Sequence, residues 1–241
     1  MSLARINDVR VGELVRNLDH VRGAIAAAAG RSGRSASDIT MIAVTKTWPV
    51  SDIRILSELG VMDVAENKAQ ELISKTSQFP NDDVRWHFVG QLQRNKVRQI
   101  LPVVSSIQSV DRAELVKTIA GAVRQFELDP VMSLVQVNLD PEPVEGRAGV
   151  APADALELAG QIHDADGLTL GGVMGVAPRG GDARAAFERL RQVSEEITDQ
   201  YRSAKIISAG MSGDFVTAIE AGATHVRLGS ALLGERAGFV R

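Results

Sequence analysis

Eight short apolar runs, separated by stretches of helical periodicity, constrain this chain more than any other feature. They lie at about 39–46, 61–64, 85–89, 104–108, 131–138, 168–176, 205–209 and 225–229. Between them, segments 50–59, 66–77, 91–100, 111–125, 151–163, 182–202 and 212–222 repeat apolar residues at helical spacing, with Asp111 and Ser212 read as N-caps. Strands alternating with helices imply a parallel sheet, and eight such units is the number that closes a barrel. The expected fold class is therefore α/β: a single (β/α)8 TIM barrel with an extra N-terminal helix, one domain over residues 1–241. An open doubly wound sheet is the rival, because alternation alone does not show closure. No GxGxxG follows a strand and no P-loop occurs, so dinucleotide and Walker-type readings lack their usual support.

Composition excludes several classes of function. A net charge of −3 provides no basic field for a nucleic-acid backbone, so no nucleic-acid partner is expected. The absence of cysteine removes disulfides, thiolate nucleophiles and cysteine-ligated metals, and is compatible with a reducing cytoplasm. The first 30 residues alternate charges with apolar side chains and read as a mature amphipathic helix rather than a signal peptide. No run approaches the ~18 apolar residues of a membrane span, so no membrane partner is expected.

The chemistry starts at "MIAVTKTWPV", residues 41–50, where Lys46 ends a buried strand just before a proline that can open a helix. A barrel's active site lies at the C-terminal ends of its strands, and phosphate is commonly held by the loops after strands seven and eight. Here those loops read "SAGMSGD", 208–214, and "RLGSALLGER", 227–236. Gly210 and Gly213 let the backbone approach a ligand, Ser212 opens a helix whose N–H groups favour an anion, and Gly229 with Ser230 offers a second donor-rich turn. Each turn alone also reads as a simple cap. Together they describe a phosphate cradle beside Lys46. A lysine at that depth should lose hydration, which makes its neutral amine available to a carbonyl. An aldehyde bearing a phosphate fits both features, and pyridoxal 5′-phosphate (PLP) is such a molecule. Arg227 shares Gly229's side of the last strand and would reach the pyridine nitrogen, disfavouring its protonation; the competing reading pairs Arg227 with a carboxylate such as Glu66.

Other candidates carry less. His87, in "RWHFVG", reads as a hydrogen-bonded core residue, and His20, His163 and His225 show no ligand spacing with it, so no metal site is expected. Trp48 either walls the pocket or packs against a helix. The Pro/Gly-rich segment 138–149 is expected to be a loop at the functional end.

The stretches "AVTKTWP", "AENKAQEL", "WHFVGQLQRNK", "SIQSVDR", "GVMGVAP" and "SAGMSGDFVTAIEAGATHVRLGSALLGER" together resemble the YggS/PROSC-type PLP homeostasis proteins, relatives of the N-terminal barrel of alanine racemases. The similarity runs from about residue 7 to 236, and "WHFVGQLQRNKVRQI" is its most specific segment. The resemblance implies a PLP-bound barrel in which Lys46 forms the internal aldimine and Asn67 lines the pocket. Ser208, Gly210, Met211, Ser212, Gly229 and Ser230 would surround the phosphate, and Arg227 would face the pyridine nitrogen. Two positions depart from the family pattern: Ala65 stands for the usual glycine before Glu-Asn, and Arg147 for a lysine.

The expected function is PLP homeostasis, holding the cofactor as a Schiff base without robust turnover; the alternative is a PLP-dependent amino-acid racemase. Racemisation needs a base on each face of the substrate carbanion. In alanine racemases the resemblance places the second base on a tyrosine from another domain, whereas the single tyrosine here, Tyr201, precedes strand seven and falls at the opposite end of the barrel. Apo PLP-dependent enzymes are the expected recipients, and the protein is read as a monomer or weak homodimer.

Overall fold

A computed structural model describes residues 8–141 and 147–235. Its eight strands form a closed barrel in which each pairs in parallel with the next and the last returns to the first. In chain order the elements are α1 (Asp8–Arg31), β1 (Thr40–Val44), α2 (Val50–Glu58), β2 (Asp63–Glu66), α3 (Ala69–Gln78), β3 (Arg85–Phe88), α4 (Val97–Ile100), β4 (Ser106–Val110) and α5 (Ala113–Gln125). They continue with β5 (Val131–Asn138), α6 (Ala155–His163), β6 (Leu168–Val176), α7 (Ala183–Gln200), β7 (Ile206–Ser208), α8 (Phe215–Glu220), β8 (His225–Leu228) and α9 (Ser230–Leu233). The barrel and the extra N-terminal helix are as expected from the sequence. Residues 142–146 of the expected 138–149 loop lie outside the described residues.

The principal apolar core lies between the strands and the helices. β8 shows the division: Val226 and Leu228 are buried in that core, while Arg227 lines the cavity at the barrel mouth. Ile42 and Val44 of β1 form a separate small cluster with Ala65 of β2. Beside these, the interior holds a buried polar network. Ser208 Oγ donates to Gln108 Oε1 at 2.7 Å, Gln108 Nε2 lies 3.4 Å from His87 Nδ1, and His87 Nε2 lies 2.9 Å from Asp63 Oδ1. His87 Nδ1 also meets Ser106 Oγ at 2.7 Å, so His87 is the hydrogen-bonded interior residue expected. Burial acts to raise the Asp63 carboxyl's pKa, but bonds from His87 and Arg85 hold it below the usual carboxylate range.

Four local expectations are corrected, one of them strand four, which runs over 106–110 rather than 104–108. Strand two runs over 63–66 rather than 61–64, because Asp63 and Glu66 are buried with cationic partners, Arg85 and Lys75. Asp111 does not cap α5: the N-cap is Arg112, without a side-chain cap bond, and Asp111 pairs with the Arg112 guanidinium. Ser212 does not cap the helix after β7, which begins at Phe215 with Asp214 as N-cap.

Helix α1 braces the functional end. Its apolar stripe of Leu14, Leu18, Val21 and Ile25 is buried, and its polar side reaches the last carbonyls of α9. Asn17 Nδ2 donates to Leu232 O at 3.1 Å and Arg10 Nη2 to Leu233 O at 3.0 Å, satisfying acceptors that a helix end leaves orphaned. Arg10 is itself held by Asp52 of α2 at 2.6 Å. Among the described residues no helix is long and apolar enough to cross a membrane.

Candidate functional site

At the C-terminal ends of the strands opens a cavity of about 590 Å³, within the size range of small-ligand sites. Of the residues singled out in the sequence, Lys46, Asn67, Met211, Ser212, Arg227, Gly229 and Ser230 lie on its wall. Ser208 and Gly210 do not line it. Ser208 is fully buried beneath Arg227, and Gly210 packs behind the wall, where a Cβ would lie 2.7 Å from Ala218 Cβ and the φ of +89° already favours glycine.

The two loops expected to form the phosphate cradle are joined by one hydroxyl. Ser212 Oγ accepts from Gly229 N at 3.2 Å and from Ala231 N at 3.0 Å, tying the β7 loop to the start of α9. Asp214 Oδ1 accepts from Met211 N at 2.6 Å and fixes the other end of that loop. A Cβ on Gly213 would meet nothing within 4 Å, so the loop faces open space there. Small residues, two hydroxyls and backbone N–H groups thus converge at one end of the cavity, a donor set suited to a phosphate.

Arg227 forms the cavity's charged floor. Only 4% of it is exposed. Its Nη1 donates to Ser208 Oγ at 2.8 Å and its Nη2 to Gly175 O at 2.9 Å, neutral acceptors in both cases. Pairing with Glu66, the competing expectation, does not occur: Glu66 is bonded to Lys75 and Thr45. Burial pushes the guanidinium down to about 10, opposed by Asp214, which leaves Arg227 cationic at neutral pH. A buried cation bonded to a hydroxyl and a carbonyl is costly for stability alone and directs positive potential into the cavity.

Lys46 corrects an expectation about depth. It lies on the cavity wall but is exposed, so burial in the protein does not strip its hydration. Trp48 lines the same cavity and also packs against the core, with the Arg10 guanidinium 4.5 Å from its ring centroid. Asn67 is fixed by close approach: a Cβ on Gly90 would fall 2.0 Å from Asn67 O, so only glycine admits the β3 loop there. Arg147 bonds Asp140 Oδ2 at 3.1 Å and Ala177 O at 3.2 Å. Among the described residues no group of three or more histidine and acidic side chains is placed to hold a metal ion.

Sequence reasoning missed Gln136, Met174, Val89 and Gly90 on the wall. Gln136 carried a signal, since it shares its side of β5 with Leu134 near the strand's C-terminal end.

A closed barrel with a lysine at the tip of its first strand and a small-residue cradle after its last two defines a class of protein. The family described as "Alanine racemase, N-terminal domain" matches residues 17–237. A "Pyridoxal phosphate homeostasis protein" from Mycobacterium leprae is 35% identical over 240 residues, covering 93% of each chain. A protein of Bifidobacterium adolescentis, described as unknown, superposes with a TM-score of 0.88 at 31% identity over 94% of this chain and 97% of that one. PipY of Synechococcus elongatus, solved with PLP bound, gives a TM-score of 0.76 at 30% identity over 87% of this chain and all of its own. The chain belongs to the alanine racemase N-terminal domain family, and within it to the pyridoxal phosphate homeostasis proteins.

Proposed function

We propose that this protein binds PLP at the barrel mouth and serves in PLP homeostasis, holding the cofactor as a Schiff base on Lys46 without robust turnover. The observation that carries the reading is the convergence, in one cavity, of the Lys46 amine, the Arg227 guanidinium and the cradle joined by Ser212. PLP supplies an aldehyde that condenses reversibly with a primary amine and a pyridine ring that withdraws electrons. The residues present suit it. Ser212 and Ser230 would hold the phosphate, with Gly229 and Met211 beside it; Asn67 would line the ring; Ser208 and Gly210 support from behind, one under Arg227 and one under the loop. Arg227, already cationic, would disfavour protonation of a pyridine nitrogen placed beside it and so weaken carbanion stabilisation. The cysteine-free composition suits the cytoplasm, and apo PLP-dependent enzymes are the proposed recipients.

The position of Tyr201 also argues against racemase chemistry. It ends α7, its ring stacks 4.7 Å from that of His163 at the end of α6, and it precedes β7, at the face of the barrel opposite the cavity. The test is turnover. With saturating PLP and D- or L-alanine, α-proton exchange should be slow at most and racemisation absent at enzymatic rates; a kcat near ~10 s⁻¹ on any amino acid would overturn the reading. Mixing the loaded protein with an apo PLP enzyme, with and without a scavenger of free PLP, then separates direct handover from buffering.

A further inference from the structure

Lys46 is exposed, yet the residues on either side of it are held by one buried ion cluster. Thr45 is fully buried; its Oγ1 donates to Glu66 Oε1 at 2.6 Å, and its carbonyl accepts from Lys75 Nζ at 2.6 Å. Thr47 has φ +66°, in the left-handed region, and its N–H donates to the Glu71 carboxylate. Lys75 Nζ also bonds Glu66 Oε1 at 2.6 Å and Glu71 Oε1 at 2.7 Å. All three donors of this ammonium are therefore used, one on each side of Lys46 through Thr45 and Glu71 and one on Glu66.

The cluster is an expensive way to attach α3 to the barrel. The Lys75 and Glu66 side chains are 7% and 0% exposed, and Glu66 Oε2 is buried with no hydrogen-bond partner among the described residues. Desolvating such ions costs several kcal/mol each, and well-packed apolar side chains of similar volume serve stability at least as well. A non-glycine residue at positive φ adds backbone strain. The strain falls on Thr47, and the desolvated pair bonds Thr45, so both features bear on the backbone that flanks Lys46. The clamp fixes the backbone from which the Lys46 side chain starts.

We propose that Lys75, together with Glu66 and Glu71, is a positioning group for Lys46, clamping the backbone on both sides so that the amine is presented to the aldehyde carbon of PLP. The inference rests on the reading that Lys46 bonds PLP. In that step a carbon–nitrogen double bond forms and water leaves with the carbonyl oxygen; nothing is oxidised or reduced.

Two ligands separate positioning from mere structural support: PLP, and pyridoxine 5′-phosphate, which keeps the ring and phosphate but carries an alcohol in place of the aldehyde. With Lys75→Met, the ~420 nm band with PLP should form about tenfold to a hundredfold more slowly, while affinity for pyridoxine 5′-phosphate stays within about twofold. Lys75→Arg, which keeps the charge and donors, should recover part of the rate. Glu71→Ala, at a more exposed member of the cluster, should act in the same direction with a smaller effect, and it decides the matter where Lys75→Met does not fold. Band formation at the wild-type rate in these variants, or equal losses for both ligands, would overturn the clamp. A wild-type protein that gives no band would instead overturn the Schiff-base reading on which the clamp rests.

Discussion

Ser212→Ala separates the phosphate cradle from the rest of the site. The Ser212 hydroxyl oxygen accepts two backbone N–H groups, from Gly229 and Ala231, at 3.2 and 3.0 Å. Its own O–H remains available as a donor to the ligand. Removing it therefore has two effects. The freed N–H groups are only partly buried and turn to water, costing about 1 kcal/mol of stability in total, or ~2–4 °C in Tm for a chain of this size. The phosphate loses one donor and meets a loop no longer tied to α9, which should weaken PLP by about 1–2 kcal/mol, or ~5–30-fold in Kd. Titration by absorbance or fluorescence measures the change, with pyridoxal, which has no phosphate, as control. Pyridoxal affinity should hardly change. Equal weakening of both ligands, or none of either, would refute the placement of the phosphate between these loops.

Two further outcomes follow from the structure. Burial, reinforced by the charges of His87 and Arg227 and opposed by Asp63, lowers the pKa of His225 to about 4. The unfolded chain, near the ordinary value of ~6.5, then binds more protons than the folded one between those pH values. Stability should fall by about 3 kcal/mol as pH drops through that window, and His225→Asn should flatten the slope in denaturant titrations at stepped pH; an unchanged slope would contradict a neutral, half-buried imidazole. Arg10→Ala leaves Asp52, whose side chain is 4% exposed, without its 2.6 Å partner and frees the Leu233 carbonyl. The expected cost is about 2–3 kcal/mol, partly recovered in Arg10→Ala/Asp52→Ala; a double variant no better than the single one would contradict the pairing.

What the sequence makes legible follows from which forces act locally. β5 and β6 are long continuous runs and appear in the structure at 131–138 and 168–176, as read, because strands buried on both faces need no alternation. β2 is displaced by two residues because Asp63 and Glu66 look like loop residues until Arg85 and Lys75 arrive from neighbouring elements to pair with them. His87 was legible as a hydrogen-bonded core residue, but its interior partners Asp63 and Gln108 were hidden for the same reason: a polar side chain in a strand reads as solvent-facing, and only closure of the barrel turns it inward. At the site, Lys46, Arg227 and the two loops were legible from strand ends and small-residue turns. The task of Ser212 was not, since its partners, Gly229 and Ala231, lie on another loop. Nor was the exposure of Lys46, which depends on how far the strand tip rises above the barrel.

The central claim, that Lys46 carries the cofactor, is tested most directly by adding PLP, reducing with borohydride and mapping the modified peptide by mass. The account predicts absorbance near ~420 nm before reduction, a single adduct on Lys46 afterwards, and loss of both in Lys46→Ala. An adduct on another lysine, or an unchanged spectrum in Lys46→Ala, would contradict it.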